Sequence, residues 1–372
     1  PAAAADPLAA ARSIAVQDRG RVKPLDTFAR ETLLFVTGRE AVGTEDPVAT
    51  LLGWMFEGER WIEAPIVRVP GRALKDHLGL PREASRFSYR DLVGRTGLWT
   101  HAQAAGEKAS RKQTLSPEED EAAAVVDRLR AMDSLFIMGH QPLRSLRIIP
   151  DPSDPQGAWA SPVEGGVVYG EAKARDILKS LGELGIAIRD ARTADATRAG
   201  EALLAKLRAL PFNPAVYPSP GALAREIHYN HLKPFRKAWW GYLAAAILLG
   251  VSFRFSAGAG ASSPGHLTAG LGFAAAGVAF GLHTYGIVLR SLIAGRPPVS
   301  NMYETVIWVP WGAMAFAILF EAIWRTRYYV AGASAFATLT LILADAIPTV
   351  LPPGIHPLEP VLRSNYWLTV HV

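Results

Sequence analysis

Residues 267–289 read LTAGLGFAAAGVAFGLHTYGIVL, and His283 is the one ionisable side chain in the whole stretch. A hydrocarbon core takes about 20 apolar residues of helix to cross, within a range of roughly 17–25. By length and composition this segment is a membrane span. The same reading extends to both sides. Residues 238–253 (AWWGYLAAAILLGVSF) carry no charge and place two tryptophans at one end, as an interfacial aromatic belt would. Residues 305–324 are apolar apart from Glu321, and residues 328–344 run uncharged up to Asp345. One such run could be a buried helix of a large soluble domain; four in succession, joined by short loops, make a bundle. A further apolar run begins at Tyr366, as a fifth span starting near 365–372.

Charge divides the chain in the same way. Of its 39 basic and 34 acidic residues, 33 and 30 lie before residue 238. The front is an ordinary charged segment and the back a membrane segment. The fold class expected is a mixed α/β, mainly α, domain over 1–232, followed by an α-helical transmembrane bundle over 233–372. Its spans fall at about 238–257, 267–290, 304–324 and 328–349. The net charge of +5 is spread without any run of like charge, which argues against nucleic acid as a partner. The absence of cysteine excludes disulfides, thiolate metal sites and any Cys-x-x-Cys-His haem attachment site within this sequence. No Gly-rich phosphate loop and no His-Glu-x-x-His motif is present. The opening PAAAADPLAA has neither an initiator methionine nor a signal sequence, so the chain reads as a fragment of a longer polypeptide.

In the front half, SPEEDEAAAVVDRLRAMDSLFIMG predicts a helix with Ser116 as N-cap, Pro117 at its first position and Glu119 closing a capping box, ending by Gly139. Further helices are expected near 24–36, 46–57, 170–184, 194–209 and 221–232, with β-rich pieces at 64–69 and 144–149. PDPSDPQGAWASP (150–162) is a loop by composition, and HYNHLKPFRK (228–237) marks the membrane boundary.

The loop before the third span reads GRPPVSNMYETVIWVPW (295–311). Pro297 and Pro298 keep it extended, and Asn301 can cap a helix whose Glu304 reaches back, as in a capping box. Its Ser300, Asn301, Tyr303 and Glu304 resemble the S-N-[LM]-Y-E segment of the CcsA (ResC) family, haem-handling membrane proteins of the System II cytochrome c maturation pathway. LEPVLRSNYWLTVHV (358–372) is similar to that family's P-x-L-x-S-N-x-W-L-x-x-H-V, through Ser364, Asn365, Trp367 and His371. IAVQDRGRVKPLDTFARETLLFVTGRE (14–40) resembles the start of the extracytoplasmic domain that precedes CcsA in fused forms.

The resemblance implies a haem channel and cytochrome c synthase in a bacterial inner membrane, with the front domain extracytoplasmic. It implies haem b as substrate, apocytochrome c as acceptor, and a ResB/CcsB-like subunit or fused domain as partner. In the family, two histidines flanking a tryptophan-rich WWD segment hold haem at the outer face. His371 matches the first of them; the WWD segment and second histidine would lie beyond residue 372. The full-length protein would be a haem lyase, and this fragment alone is expected to be inactive.

A neutral imidazole is a good ligand for haem iron. With a fifth helix starting near Ser364, His371 lies about 10 Å in at 1.5 Å per residue, near the membrane surface. Trp367 and Arg363 are further candidates toward haem, Arg363 by pairing with a propionate. His283 is an intramembrane ionisable group and so a functional candidate; it could assist haem passage, contact a propionate, or make an interhelical hydrogen bond. His228 and His231 could bind a metal or simply form one face of a boundary helix.

Orientation carries a tension. The family topology puts WRTRYY (324–329) in the cytoplasm, as the positive-inside rule prefers, but leaves KPFRK (233–237), Arg290 and Arg296 outside, which it does not. Two other functions stay open: a haem or small-molecule transporter without attachment chemistry, and a non-catalytic module that docks apocytochrome or a partner.

Overall fold

The computed structural model describes residues 6–137, 139–140, 142–152, 154, 157–255 and 264–357. The 358–372 motif, with Arg363, Ser364, Asn365, Trp367 and His371, lies outside the described residues, as does the expected fifth span. The chain divides into two compact units, Pro1–Leu223 and Ala224–Val372.

The first unit is mainly helical. Strand Ala15–Asp18 pairs antiparallel with Arg21–Pro24, with Asp18 opposite Arg21. Arg19 and Gly20 both take positive φ in the two-residue turn between them, as the twist of a tight hairpin requires. The sequence reading missed this hairpin because arginine stands where asparagine would signal it. Charge locks follow immediately. Lys23 is buried and pairs with Asp18 at 2.8 Å and Glu31 at 2.5 Å. Arg12 pairs with Asp6 (2.6 Å), Asp26 (2.9 Å) and Asp46 (2.5 Å), and the fully buried Asp26 also takes Arg30 at 2.9 Å. Burial alone would lower the Arg12 pKa, but hydrogen bonds to Asp6 and Asp46 outweigh it and drive the pKa upward. Asp46 in addition caps helix Pro47–Phe56 through the Val48 and Ala49 amides. The family-like stretch 14–40 thus supplies most of one ionic frame.

Helices Leu25–Thr37, Pro47–Phe56, Thr193–Arg208 and Pro220–Leu232 form close to where they are expected, and the one expected at 170–184 runs on to Arg189, as Glu171–Arg189. The predicted capping box is present, Ser116 Oγ accepting from the Glu119 amide at 3.2 Å while Glu119 accepts from the Ser116 amide at 2.9 Å. That helix closes at Asp133 rather than near Gly139: the backbone leaves it so that the Ile137 amide can donate to the Met55 carbonyl. The strand expected at 64–69 shortens to Val67–Arg68, paired with Arg86–Phe87. The one expected at 144–149 reduces to an isolated bridge, Ile149 to Ala160. The loop 150–162 is pinned by Gln17, whose amide donates to the Gly157 carbonyl and accepts from the Trp159 amide. Leu33, Leu51, Trp54, Val125, Leu129 and Ile148 are central to the core.

The second unit contains helices Pro234–Phe255, Pro264–Ala294, Met302–Trp324 and Tyr328–Ala346, each long and apolar enough to cross a membrane. We call them the first to fourth membrane helices. The second runs about a turn further at its C-terminal end than the apolar pattern suggests. Small residues let the first two approach closely, as is common between membrane helices. A Cβ added to Gly241 would stand 2.9 Å from Ala279 Cβ, and one on Gly286 would stand 2.8 Å from Pro234 Cγ. Tyr242, Leu249, Ala276, Ile307, Met314 and Leu341 fill the interior. Ile247, Val278, Phe316, Leu319 and Leu339 are exposed, the apolar surface an integral membrane protein turns to lipid. Glu321 acts locally, its carboxylate accepting from the Arg327 amide at the start of the fourth helix.

Candidate functional site

The SNMYE loop forms the start of the third membrane helix. Asn301 Oδ1 accepts from the Glu304 amide at 2.8 Å, as predicted. The reach-back differs. Glu304 Oε2 accepts from the amide and the hydroxyl of Ser300, both at 2.8 Å, one residue before the cap. Its other bonds explain the choice. Arg290, at the end of the second helix, approaches Glu304 Oε1 at 3.0 Å, and Arg296, in the connecting loop, approaches Oε2 at 3.2 Å. A carboxylate turned toward Ser300 serves all of these donors together.

Arg290 and Glu304 are completely buried, and Arg296 nearly so. Two cations share one carboxylate, so the group carries a net +1 where desolvation is costly. The remaining N–H groups therefore need acceptors, and they find carbonyls. Arg290 Nη1 donates to Pro353 O at 2.8 Å and to the Tyr229 hydroxyl at 3.4 Å, and Nη2 donates to Gly354 O at 3.3 Å. Arg296 Nη2 donates to His356 O at 3.1 Å. Arg290 also lies over the Tyr303 ring, 5.0 Å from its centroid. One carboxylate thereby ties the SNMYE loop, through two arginines, to the backbone of 353–356.

This geometry bears on the orientation tension. Arg290 and Arg296 are buried and paired rather than loop surface charges, and Arg236 of KPFRK pairs with Asp345 at 2.7 Å. Fewer free cations stand against the family topology than the sequence count suggests.

His283 lies deeper in the bundle and is fully buried. Its Nε2 lies 2.9 Å from Ile307 O, and its Nδ1 lies 3.3 Å from the Tyr242 hydroxyl. The carbonyl can only accept, so Nε2 carries the proton and Nδ1 accepts from the tyrosine. Pro310 lies within the third helix and supplies no amide proton, which loosens the backbone ladder beside the Ile307 carbonyl. The Phe235 ring packs against both His283 (5.5 Å) and Tyr303 (6.5 Å), linking the histidine to the arginine cluster by contact. Of the three roles open to His283 from sequence, the interhelical hydrogen bond is the one occupied here.

His228 meets Tyr285, Nε2 to hydroxyl 3.2 Å, and among the described residues no group of three metal-capable side chains forms. His356 contributes its carbonyl. Sequence reasoning missed Arg290, Arg296 and Tyr229 as site residues. The available signal was a lone acid in the first turn of one span facing two arginines that follow the previous one.

No family model matches the chain. Among curated proteins it is similar to the protein NrfI of Wolinella succinogenes, 26% identical over 367 residues that make up 95% of this chain and 38% of NrfI. It is also similar to the cytochrome c biogenesis protein CcsA of Prochlorococcus marinus, 34% identical over 92 residues, 24% of this chain and 28% of that protein. CcsA of Guillardia theta is 34% identical over 86 residues, 22% of this chain and 27% of that protein. The chain spans well under half the length of the curated relatives it matches.

Proposed function

We propose that this chain, similar to the CcsA-type cytochrome c biogenesis proteins, forms part of a haem channel and cytochrome c synthase. In this reading haem b is the substrate, moved to the outer face of a bacterial inner membrane. Apocytochrome c is the acceptor, and a ResB/CcsB-like subunit or domain assists. The front domain lies outside the cytoplasm, and residues 1–232 and 233–372 act as soluble and membrane parts.

The observation that carries this reading is the bond network of Glu304. The residue that makes the first motif distinctive holds, through Arg290 and Arg296, the segment running directly into the second motif. A ligand near the start of a helix is useful only if the segment leading into that helix is fixed, because a displacement of about 1 Å can cost about a hundredfold in rate. We assign Ser300, Asn301, Tyr303, Glu304, Arg290 and Arg296 as positioning residues. His371 is the proposed axial ligand, with Trp367 as a wall of the site, Arg363 as a propionate partner, and Ser364 and Asn365 as the start of its helix. His283, with both ring nitrogens engaged, serves to lock three helices together. The attachment itself adds each apocytochrome thiol S–H across a haem vinyl C=C, forming a thioether with no leaving group.

The test uses the longer polypeptide that contains this chain, co-expressed with an apocytochrome. The expected result is covalent haem on the cytochrome and a Soret band on the purified membrane protein. His371→Gly should lose both, and added imidazole should restore the Soret band. An unchanged Soret band in His371→Gly would remove the ligand assignment. Bound haem with no covalent transfer in the unsubstituted protein would favour the transporter reading.

A further inference from the structure

The first unit gathers Arg39, Arg68, Arg86 and Arg128 around the C-terminal end of helix Leu25–Thr37. Arg68 and Arg86 stand directly opposite each other in the short antiparallel ladder. Like charges in that position are destabilising. Arg86 Nε donates to Thr37 O at 2.9 Å. Arg128 donates from Nε to Phe35 O at 3.3 Å and from Nη1 to Arg68 O at 2.9 Å. Gly38 ends the helix at φ +76°, and a Cβ there would stand 2.7 Å from Arg68 Cδ, so the arginine stem packs against bare backbone. Arg39 follows at once and is exposed.

Helix capping accounts for part of this. A helix C terminus attracts cations and its carbonyls accept from arginine. Its effective charge, however, is only about −0.5 of an elementary charge, against four guanidinium groups. Among the described residues no carboxylate makes an ion pair with any of the four. Glu40 is engaged by Arg30 at 3.9 Å, and Glu121 accepts from the Gly71 amide at 2.5 Å. Burial and the neighbouring Arg39 and Arg68 push the Arg86 pKa down; burial and Arg68 do the same to Arg128, against a partial offset from the nearby Glu121 and Asp127. Elsewhere in the same unit the buried Arg12 and Lys23 are matched by carboxylates, while the buried Lys75 is a single cation held by the Arg82 and Ala84 carbonyls; here four guanidinium groups gather.

We propose that Arg39, Arg68, Arg86 and Arg128 form a binding site for a doubly charged oxyanion, a phosphate group or a pair of carboxylates. Arginine forks match both geometries by paired N–H bonds, which makes the cluster a receptor rather than a cap. The Arg68 and Arg39 side chains, free of the capping bonds, supply the donors, and Arg86 and Arg128 set the field. The proposal does not depend on the haem reading.

The experiment is calorimetric titration of the full chain in detergent, at constant ionic strength, with inorganic phosphate, malonate and chloride. Saturable binding of phosphate or malonate but not chloride is expected, and the stronger of the two identifies the source. Arg68→Gln should weaken it about tenfold, the loss of one charge-assisted contact. Arg39→Gln, at an exposed site that folding does not need, should weaken it as well. Equal responses to all three anions, or binding unaltered by both substitutions, would overturn the proposal.

Discussion

Two arginine clusters, one in each unit, are built in opposite ways, although the first unit also holds Arg12 paired with carboxylates. In the membrane unit Arg290 and Arg296 share Glu304, and the remaining Arg290 donors reach carbonyls, a hydroxyl and an aromatic face. In the first unit Arg39, Arg68, Arg86 and Arg128 crowd one helix end, and among the described residues none of them makes an ion pair with a carboxylate. The difference follows from solvent. A bundle interior cannot leave a guanidinium unmatched, so its arginines are committed to structure and fix a loop. A surface in contact with water tolerates surplus positive charge and can hold it ready for a ligand.

The contrast breaks most readily at Glu304. Glu304→Gln leaves two buried cations without a counter-charge, and the unit should lose about 3–5 kcal/mol. Denaturant unfolding in mixed micelles would show this; a loss below about 1 kcal/mol would mean the cluster is hydrated and the pairing incidental. A smaller loss, about 1–3 kcal/mol, is expected for Tyr242→Phe, which strips the buried His283 Nδ1 of its donor. If His283 were instead free to serve haem, that substitution would leave stability unchanged. Arg68→Gln should have the reverse sign in chloride buffer. Removing one of two opposed cations should stabilise the first unit by a few tenths to about 1 kcal/mol, and destabilisation would show that Arg68 is structural. The smallest change belongs to Arg236→Gln, whose pair with Asp345 is half-exposed. At most about 1 kcal/mol is expected there, and a larger loss would show that surface and buried pairs in this bundle are energetically alike.

The sequence disclosed features that depend on one dimension. Four spans follow from the length and composition of apolar runs, and Ser116–Glu119 and Asn301–Glu304 follow from local spacing. What it did not disclose is set by distance along the chain. Glu304 meets Arg290 across a turn between helices, and His283 finds its partners on two other helices. Capping rules look three residues ahead and therefore assigned the Glu304 carboxylate to the wrong neighbour. Arg39, Arg68, Arg86 and Arg128 come from four separate segments, so no local pattern could bring them together. The Arg19–Gly20 turn was hidden by an uncommon residue choice rather than by distance. His371 and Trp367 rest on the motif they occupy.

One carboxylate, that of Glu304, holds the segment entering the second motif. The chain has no cysteine, so Ile355→Cys introduces a single thiol at a buried position of that segment. Its rate of maleimide labelling in detergent reports whether residues 353–356 are held down. We predict slow labelling with Glu304 intact and at least tenfold faster labelling when Glu304→Gln is added, with the four helices retained by circular dichroism. Equal slow rates in both backgrounds would contradict the account.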